Sequence, residues 1–236
     1  MKIIVCGCSF MTIDKRHPGT HFSEILAKNY NADLECFAKM GASNFTIRLQ
    51  IDEAINQKPD LILIGFTNSD RIEIPIRKYR IDNGIKNISY SEYNKAPNFY
   101  NSNDVSCVSQ PISNFFNPVH SDEILDEEKL IALKHYSAYL FDSDLKSQLD
   151  YFIAQSALDR LEKLGIPFIF TRGGLVGTAF SYENWKNFEV NPDIGNPWLF
   201  VEGGELTSGV YHTTFLKQEE LSVEWDKLLN FSINKV

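Results

Sequence analysis

The chain has 236 residues, 43% hydrophobic and 23% charged, which is ordinary for a globular protein, and one domain over residues 1–236 is expected at this length. Its 31 acidic and 23 basic residues give a net charge of −8, which disfavours general nucleic-acid binding because a phosphate backbone would be repelled. No apolar run approaches the roughly 20 residues that span a bilayer, and MKIIVCGCSF lacks the pattern of a signal peptide, so we expect a cytoplasmic protein without membrane contact.

The first third of the chain alternates between strand-like and helix-like segments. Strands are predicted at residues 2–6, 33–38 and 60–66, and helices at 21–30 and 44–57. The run DLILIGF at 60–66 lacks polar alternation, which is typical of a strand buried on both faces of a parallel sheet. Ser43 or Asn44 is the predicted N-cap of the second helix.

The rest of the chain resumes this alternation after a long irregular stretch. Residues 79–143 are rich in Asn, Ser, Tyr and Asp and are predicted to be an insertion, with a helix only at 126–141. The later predictions are a helix over 149–165 ended by Gly165, a strand at 166–172, a second insertion at 173–196, a last strand at 197–203 and a final helix over 218–233. This order predicts an α/β fold with a parallel sheet covered by helices on both faces.

In such sheets ligands bind at the carboxyl ends of the strands, so the segments after the strands are the candidate site. Four of them hold small or hydrogen-bonding residues, namely GCSF at 7–10, GASN at 41–44, GFTNSDR at 65–71 and YHT at 211–213. Together they supply a hydroxyl nucleophile, an imidazole base, backbone N–H donors and a side-chain amide. Acyl transfer needs this set, because a serine is a weak nucleophile without a base and an oxyanion needs donors aimed at it.

These segments resemble the conserved blocks of a known enzyme family. GCSF resembles the Gly-Asp-Ser block of the SGNH (GDSL-type) hydrolases, and the order Ser9, Gly41, Asn68, His212 resembles the family's order of Ser, Gly, Asn and His. The pairing of GCSF with GASN resembles a divergent branch found in phage and bacterial genomes. The resemblance implies a flavodoxin-like three-layer α/β/α sandwich, ester or acyl hydrolysis, and no metal or organic cofactor.

The resemblance also implies a role for each matched residue. Ser9 would attack an ester carbonyl, and His212 would take its proton and pass one to the leaving alcohol. The backbone N–H groups of Ser9 and Gly41 and the side-chain amide of Asn68 would form the oxyanion hole. Because the third block is one residue longer than in the family, Thr67 is the alternative to Asn68; we favour Asn68, since an amide is the better fixed N–H donor.

Two positions depart from the family's pattern. Cys8 stands in place of the aspartate before the serine, which leaves open a reactive thiol, although buried cysteine is usually a small hydrophobe. Gly209 stands where the family has an aspartate three residues before His212. Glu205, Glu202 or a backbone carbonyl are the candidates to orient the imidazole, and the remaining alternative is a binding site with little catalysis.

Each of these residues also has a structural interpretation. Ser9 can cap the helix that follows, Gly41 and Gly65 can be turn residues, Asn68 is common in turns, and His212 can be a packed histidine. Their joint order along the chain favours the catalytic interpretation, which stays a hypothesis until structural context supports it.

Further residues are candidates for the same site. His17 and His21 are close to Ser9 in sequence, so either can face it, and Arg71 is a candidate contact for an anionic or sugar substrate, as are Arg77 and Arg172. The insertions carry aromatic residues, which suit sugars or acyl chains over a cleft.

The sequence lacks the common motifs of nucleotide and zinc sites. The chain has neither a phosphate-binding loop motif nor a G-x-G-x-x-G motif after its first strand, and its four cysteines lack zinc-ligand spacing, so neither a nucleotide nor a metal is expected. We therefore predict a serine esterase or acylhydrolase for a small acyl or O-acetyl ester, with acetylated sugar as the favoured substrate. A catalytically inactive binding or structural protein and an acyltransferase are the alternatives.

Overall fold

The computed structural model describes residues 1–75, 101–103, 105–109, 127–175, 188–190 and 215–233. Its strands are β1 (Lys2–Gly7), β2 (Asp33–Cys36), β3 (Leu61–Gly65), β4 (Arg71–Pro75), β5 (Val105–Ser109) and β6 (Phe168–Thr171). Its helices are α1 (Phe22–Asn29), α2 (Asn44–Asn56), α3 (Glu127–Tyr139), α4 (Ser143–Lys163) and α5 (Phe215–Ile233), and a 3₁₀ turn covers Ser9–Met11. No helix in these ranges is long and apolar enough to cross a membrane.

Four strands form a parallel sheet in the order β2-β1-β3-β6. Gly7 at the end of β1 pairs with Gly65 at the end of β3, and Gly65 pairs in turn with Thr171 at the end of β6. Every residue of β3 is buried, which confirms the prediction made from its continuous apolar run. The register brings the carboxyl ends of three strands to one edge, so the segments that follow them begin side by side.

The two faces of the sheet carry two separate apolar cores. Ile4 and Cys6 of β1 face α2 and α4, whereas Ile3 and Val5 face α1 and α5, because neighbouring residues of a strand point to opposite sides. Trp225 of α5 is completely buried in the second core. The result is the three-layer α/β/α sandwich that the sequence predicted.

The helix boundaries follow local capping chemistry. Ser43 caps α2 by accepting a hydrogen bond of 3.3 Å from the backbone N–H of Thr46, which selects Ser43 over Asn44 as the N-cap. Asp142 caps α4 in the same way, so this helix begins six residues before the predicted start, which was set by apolar periodicity alone. Gly165 follows α4 with φ of +65°, a left-handed conformation that suits glycine and confirms the predicted stop.

The buried face of α4 also differs from the prediction, in which helical spacing places Leu149, Ile153, Ala157 and Leu161 together on one apolar face. Leu149 is 49% exposed and Ile153 only half-buried, whereas the neighbouring Asp150 is completely buried. Ala157 and Leu161 lie in the core as predicted, together with Tyr151, Ala154 and Leu158. Apolar spacing misassigned the first turns because an acidic residue occupies a core position there.

An antiparallel pair formed by β4 and β5 was not predicted. Arg71 pairs with Ser109 and Pro75 with Val105 at the two ends of the ladder. The two strands are five residues each and far apart in sequence. Neither a tight turn between them nor a long apolar run is therefore present to predict them. The predicted last strand at 197–203 and most of the predicted insertions lie outside the described residues.

Candidate functional site

The Met11 side chain lies against the ends of both β1 and β3. A Cβ on Gly7 would lie 2.4 Å from Cγ of Met11, and a Cβ on Gly65 would lie 2.5 Å from the same atom. Both strands therefore need glycine at their last position so that the Met11 side chain can lie across them. This packing holds the Ser9–Met11 turn against the edge of the sheet.

Gln50 of α2 fixes the backbone just before this turn. Its Oε1 accepts a hydrogen bond of 2.7 Å from the Gly7 N–H, and its Nε2 donates to the Gly7 carbonyl at 3.3 Å. The side chain is completely buried, and it satisfies polar backbone groups that would otherwise be costly in the core. Sequence reasoning missed Gln50, although it lies at helical spacing on the face that Ile47 and Ala54 define, where a polar residue is unexpected.

Ser9 is 8% exposed and begins the 3₁₀ turn, whose N-cap is Cys8. The N-cap of α1 is His21, so neither element uses Ser9 as its cap, in contrast to the capping interpretation. Cys8 is completely buried and packs in the core between the sheet and α2 and α4. Its environment is that of a small hydrophobe.

His21 is a buried cap and does not face an open cleft. Its Nε2 lies 3.2 Å from the Phe10 carbonyl, which can only accept, so Nε2 carries the proton and Nδ1 accepts from the N–H of Ser23 at 3.4 Å. The Glu24 carboxylate accepts from the His21 N–H at 3.1 Å, completing a capping box. Burial lowers the pKa of His21 to about 4, partly opposed by the bond to the Phe10 carbonyl. His17 is half-buried.

Gly41 lies in the turn between β2 and α2. It is buried and has φ of +75°, in the left-handed region that glycine adopts without strain. The turn is closed by a 3.2 Å bond from the Ala42 N–H to the Lys39 carbonyl. Arg71, 7% exposed, donates from Nη1 to the Ala42 carbonyl at 2.5 Å, so its observed contact is with backbone, and contact with a substrate stays a prediction.

Thr67 and Asn68, the two candidates for the side-chain donor of the oxyanion hole, differ in burial and in hydrogen bonding. Thr67 is completely buried, with its N–H donating to Oδ1 of Asn44 and its carbonyl accepting from Nδ2 of Asn44, both at 2.9 Å. Its hydroxyl donates to Oδ1 of Asn68 at 3.2 Å. Asn68 is only half-buried, and its amide oxygen faces Thr67. Of the two side chains, that of Asn68 is the less enclosed and the only one with an amide donor.

The loop after β6 packs directly on Asn68. A Cβ on Gly174 would lie 2.6 Å from the Asn68 Cβ and 2.7 Å from its backbone nitrogen, so only glycine fits. Sequence reasoning took this glycine as the start of an insertion, although a Gly-Gly pair directly after a strand is a signal of close backbone approach. Burial raises the pKa of the nearby Asp70 carboxyl, opposed by the charge of Arg71 and by a hydrogen bond with Asn68.

The structure thus places Ser9, Gly41, Thr67, Asn68 and Arg71 in segments at the carboxyl edge of the sheet. The predicted base His212 and the candidate acids Glu205 and Glu202 lie outside the described residues, so their roles stay predictions. Within the described ranges, no group of three or more His, Cys, Asp or Glu side chains is arranged to hold a metal ion.

No protein-family model matches the chain, and no curated protein matches it. It is similar in structure to a protein from Desulfitobacterium hafniense DCB-2 described as "a putative lipolytic protein of G-D-S-L family", with a TM-score of 0.51 and 9% sequence identity. The similarity covers 97% of this chain and 99% of that chain. At this identity the comparison shows the fold alone, which is the three-layer α/β/α sandwich described above.

Proposed function

We propose that this protein is a serine esterase or acylhydrolase of the SGNH (GDSL) type. The observation that carries the proposal is the position of Ser9 at the start of a turn directly after the central strand β1, at the edge where the Gly41 and Asn68 segments also begin. Ligands bind at this edge in parallel α/β sheets, and the chain has the fold of a GDSL-type neighbour. The GCSF and GASN segments further support the divergent branch of the family.

In the proposed reaction Ser9 Oγ attacks the ester carbonyl while His212 takes its proton. The C–O bond to the leaving alcohol then breaks, the alcohol receives that proton, and water hydrolyses the acyl-serine. The Ser9 and Gly41 N–H groups and the Asn68 amide would bind the oxyanion, and loss of one such donor costs about 3 kcal/mol of barrier. The hydrogen bond from Thr67 to the Asn68 oxygen supports this choice, because it occupies the acceptor end of the amide. The NH₂ end has two N–H groups, so one can bond to the Asp70 carboxylate while the other serves the oxyanion.

The acid that would orient His212 is not at the family's usual position. Gly209 occupies the family's aspartate position, and we propose that Glu205, with Glu202 as the alternative, orients His212 from the same segment. The acid matters for rate, because replacing the aspartate of a Ser-His-Asp triad with asparagine lowers kcat by about 10⁴.

The favoured substrate is a small acyl or O-acetyl ester on a sugar. The aromatic residues of the insertions and the guanidinium of Arg71 suit a carbohydrate, and the reaction needs no cofactor. We further propose that residues 1–236 act as one domain in the cytoplasm. The absence of aspartate at position 209 favours one competing function, a binding protein that keeps the fold with little turnover.

Hydrolysis of p-nitrophenyl acetate tests the proposal. Wild type is expected to release a burst of p-nitrophenol as Ser9 is acylated, and Ser9→Ala to release none above background. Ser156→Ala is the matched control, since this exposed serine on α4 donates only to the Ile153 carbonyl of its own helix, and its burst should equal that of wild type. A wild type without turnover supports the binding protein, and equal rates for wild type and Ser9→Ala contradict the assigned nucleophile.

A further inference from the structure

A chain of polar side chains runs through the interface of α2 and α4 to the turn that carries Asn68. Asp150 of α4 is completely buried, and its two carboxylate oxygens have different partners. One accepts from Nζ of Lys146 at 2.5 Å, and the other accepts from Nδ2 of Asn44 at 3.0 Å. Lys146 also contacts Glu73 of β4 at 3.0 Å, which brings a second carboxylate to the less buried end of the chain.

The other end of this chain is the clasp that Asn44 forms on Thr67. One amide binds both the N–H and the carbonyl of Thr67, and the Thr67 hydroxyl binds the oxygen of the Asn68 amide. Thr67 thus holds the oxygen end of the Asn68 amide, while Asp70 bonds to the same side chain. The placement of Thr67 in turn depends on which way the Asn44 amide is turned.

Asp150 determines the orientation of the Asn44 amide. A carboxylate only accepts hydrogen bonds, so the nitrogen of Asn44 must face Asp150, and its oxygen is then left for the Thr67 N–H. A buried carboxylate is costly unless it is paired, and burial raises the pKa of Asp150 against the opposing charge of Lys146. Apolar residues would fill this interface at lower cost, so a requirement other than packing favours the acid.

We propose that Asn44 and Asp150 are positioning residues that aim the Asn68 amide at the oxyanion, with Lys146 as the counter-charge. This inference rests on the proposed function, because it gives Asn68 the role of an oxyanion donor. Neither residue touches the substrate; they act through Thr67.

Asp150→Asn is the sharpest variant, because an amide offers one acceptor oxygen where Lys146 and Asn44 need two. We expect kcat for p-nitrophenyl acetate to fall about 10-fold with little change in KM, since the negative charge on the ester oxygen exists only in the transition state. In an Asn68→Ala background, Asp150→Asn should cause no further loss, because its effect passes through the amide already removed. Ala154→Gly, one turn further along the buried face of α4, is the control for lost helix stability and should leave kcat unchanged.

A second readout does not depend on turnover. In ¹⁵N–¹H NMR spectra, Asp150→Asn should shift the backbone amide of Thr67 and the side-chain NH₂ of Asn68, while the Gly7 amide held by Gln50 stays in place. If wild type has no esterase activity but these resonances move as expected, the proposed function fails. The hydrogen-bonded connection from Asp150 through Asn44 and Thr67 to Asn68 is then still supported.

Two results overturn the inference. One is an equal loss of kcat from Asp150→Asn with and without Asn68, and the other is unmoved Thr67 and Asn68 resonances. If Asp150→Asn does not fold, Asn44→Ser breaks the clasp with a smaller polar side chain and is judged by the same cycle and the same resonances.

Discussion

Protonation of His21 should make the protein less stable as the pH falls below neutral. Its pKa is 6.5 in an unfolded chain and about 4 in the folded protein, where the ring is completely buried. Above pH 6.5 the ring is neutral in both states, so it adds no pH dependence. Between pH 6.5 and 4 the unfolded chain binds a proton that the folded protein does not, and the free energy of unfolding falls.

The size of this effect follows from the two pKa values. The full difference corresponds to about 3 kcal/mol, reached below pH 4, and about 2 kcal/mol of it is lost between pH 7 and pH 5. Burial is the main cause, because a charged imidazolium would lose its hydration in the core. A proton on Nδ1 would also turn the acceptor of the α1 cap into a donor that faces the Ser23 N–H. The start of α1 would then lose its capping bond.

Urea unfolding of wild type and His21→Asn from pH 7 to pH 5 measures the effect. Asparagine keeps a capping oxygen but does not titrate. The effect of carboxylate titration on the free energy of unfolding is the same in both proteins and cancels in their difference. That difference should change by about 2 kcal/mol over this range in the direction that weakens wild type at low pH. His135→Asn, at an exposed position on α3, controls for replacing a histidine as such. A difference that stays constant with pH would refute the neutral buried cap.

Two further predictions concern Gly174 and Gln50, which pack against or hydrogen-bond to the segments that carry the candidate site. Gly174→Ala should lower the free energy of unfolding by about 1–3 kcal/mol and also slow p-nitrophenyl acetate hydrolysis, because its Cβ forces Asn68 to move. Gly165→Ala, whose Cβ meets nothing within 4 Å, should cost stability only, and a Gly174→Ala enzyme of normal activity would contradict the packing argument. Gln50→Leu leaves the buried Gly7 N–H without its side-chain acceptor, so the free energy of unfolding in urea should fall by about 1–3 kcal/mol. An unchanged urea midpoint would contradict the role assigned to Gln50.

Much of the fold could be predicted from the sequence, because the signals for it are local. The apolar run of β3, the cap of α2 at Ser43 or Asn44 and the stop at Gly165 each depend on a few neighbouring residues. The structure confirms the run and the stop and selects Ser43 as the cap. The order of these elements was enough to predict a parallel sheet covered by helices on both faces and the edge of that sheet where the candidate site lies. The antiparallel β4–β5 pair escaped prediction because its partners are far apart in sequence.

The supporting structure of the candidate site escaped prediction for the same reason. Asn44 and Asp150 bind each other across 106 positions of sequence, and Gly174 meets Asn68 only because β6 lies beside β3. A polar residue on an apolar helix face, such as Gln50 or Asp150, signals that a buried partner exists. It does not identify that partner, which depends on the assembled sheet.

The most direct test of the proposed nucleophile is covalent labelling with a fluorophosphonate, followed by intact-mass and peptide analysis. Wild type should gain one probe, located on Ser9, while Ser9→Ala stays unlabelled and His212→Ala reacts much more slowly. An unlabelled wild type, a probe found on Cys8, or equal labelling of Ser9→Ala would contradict the assignment of Ser9 as the nucleophile of a serine hydrolase.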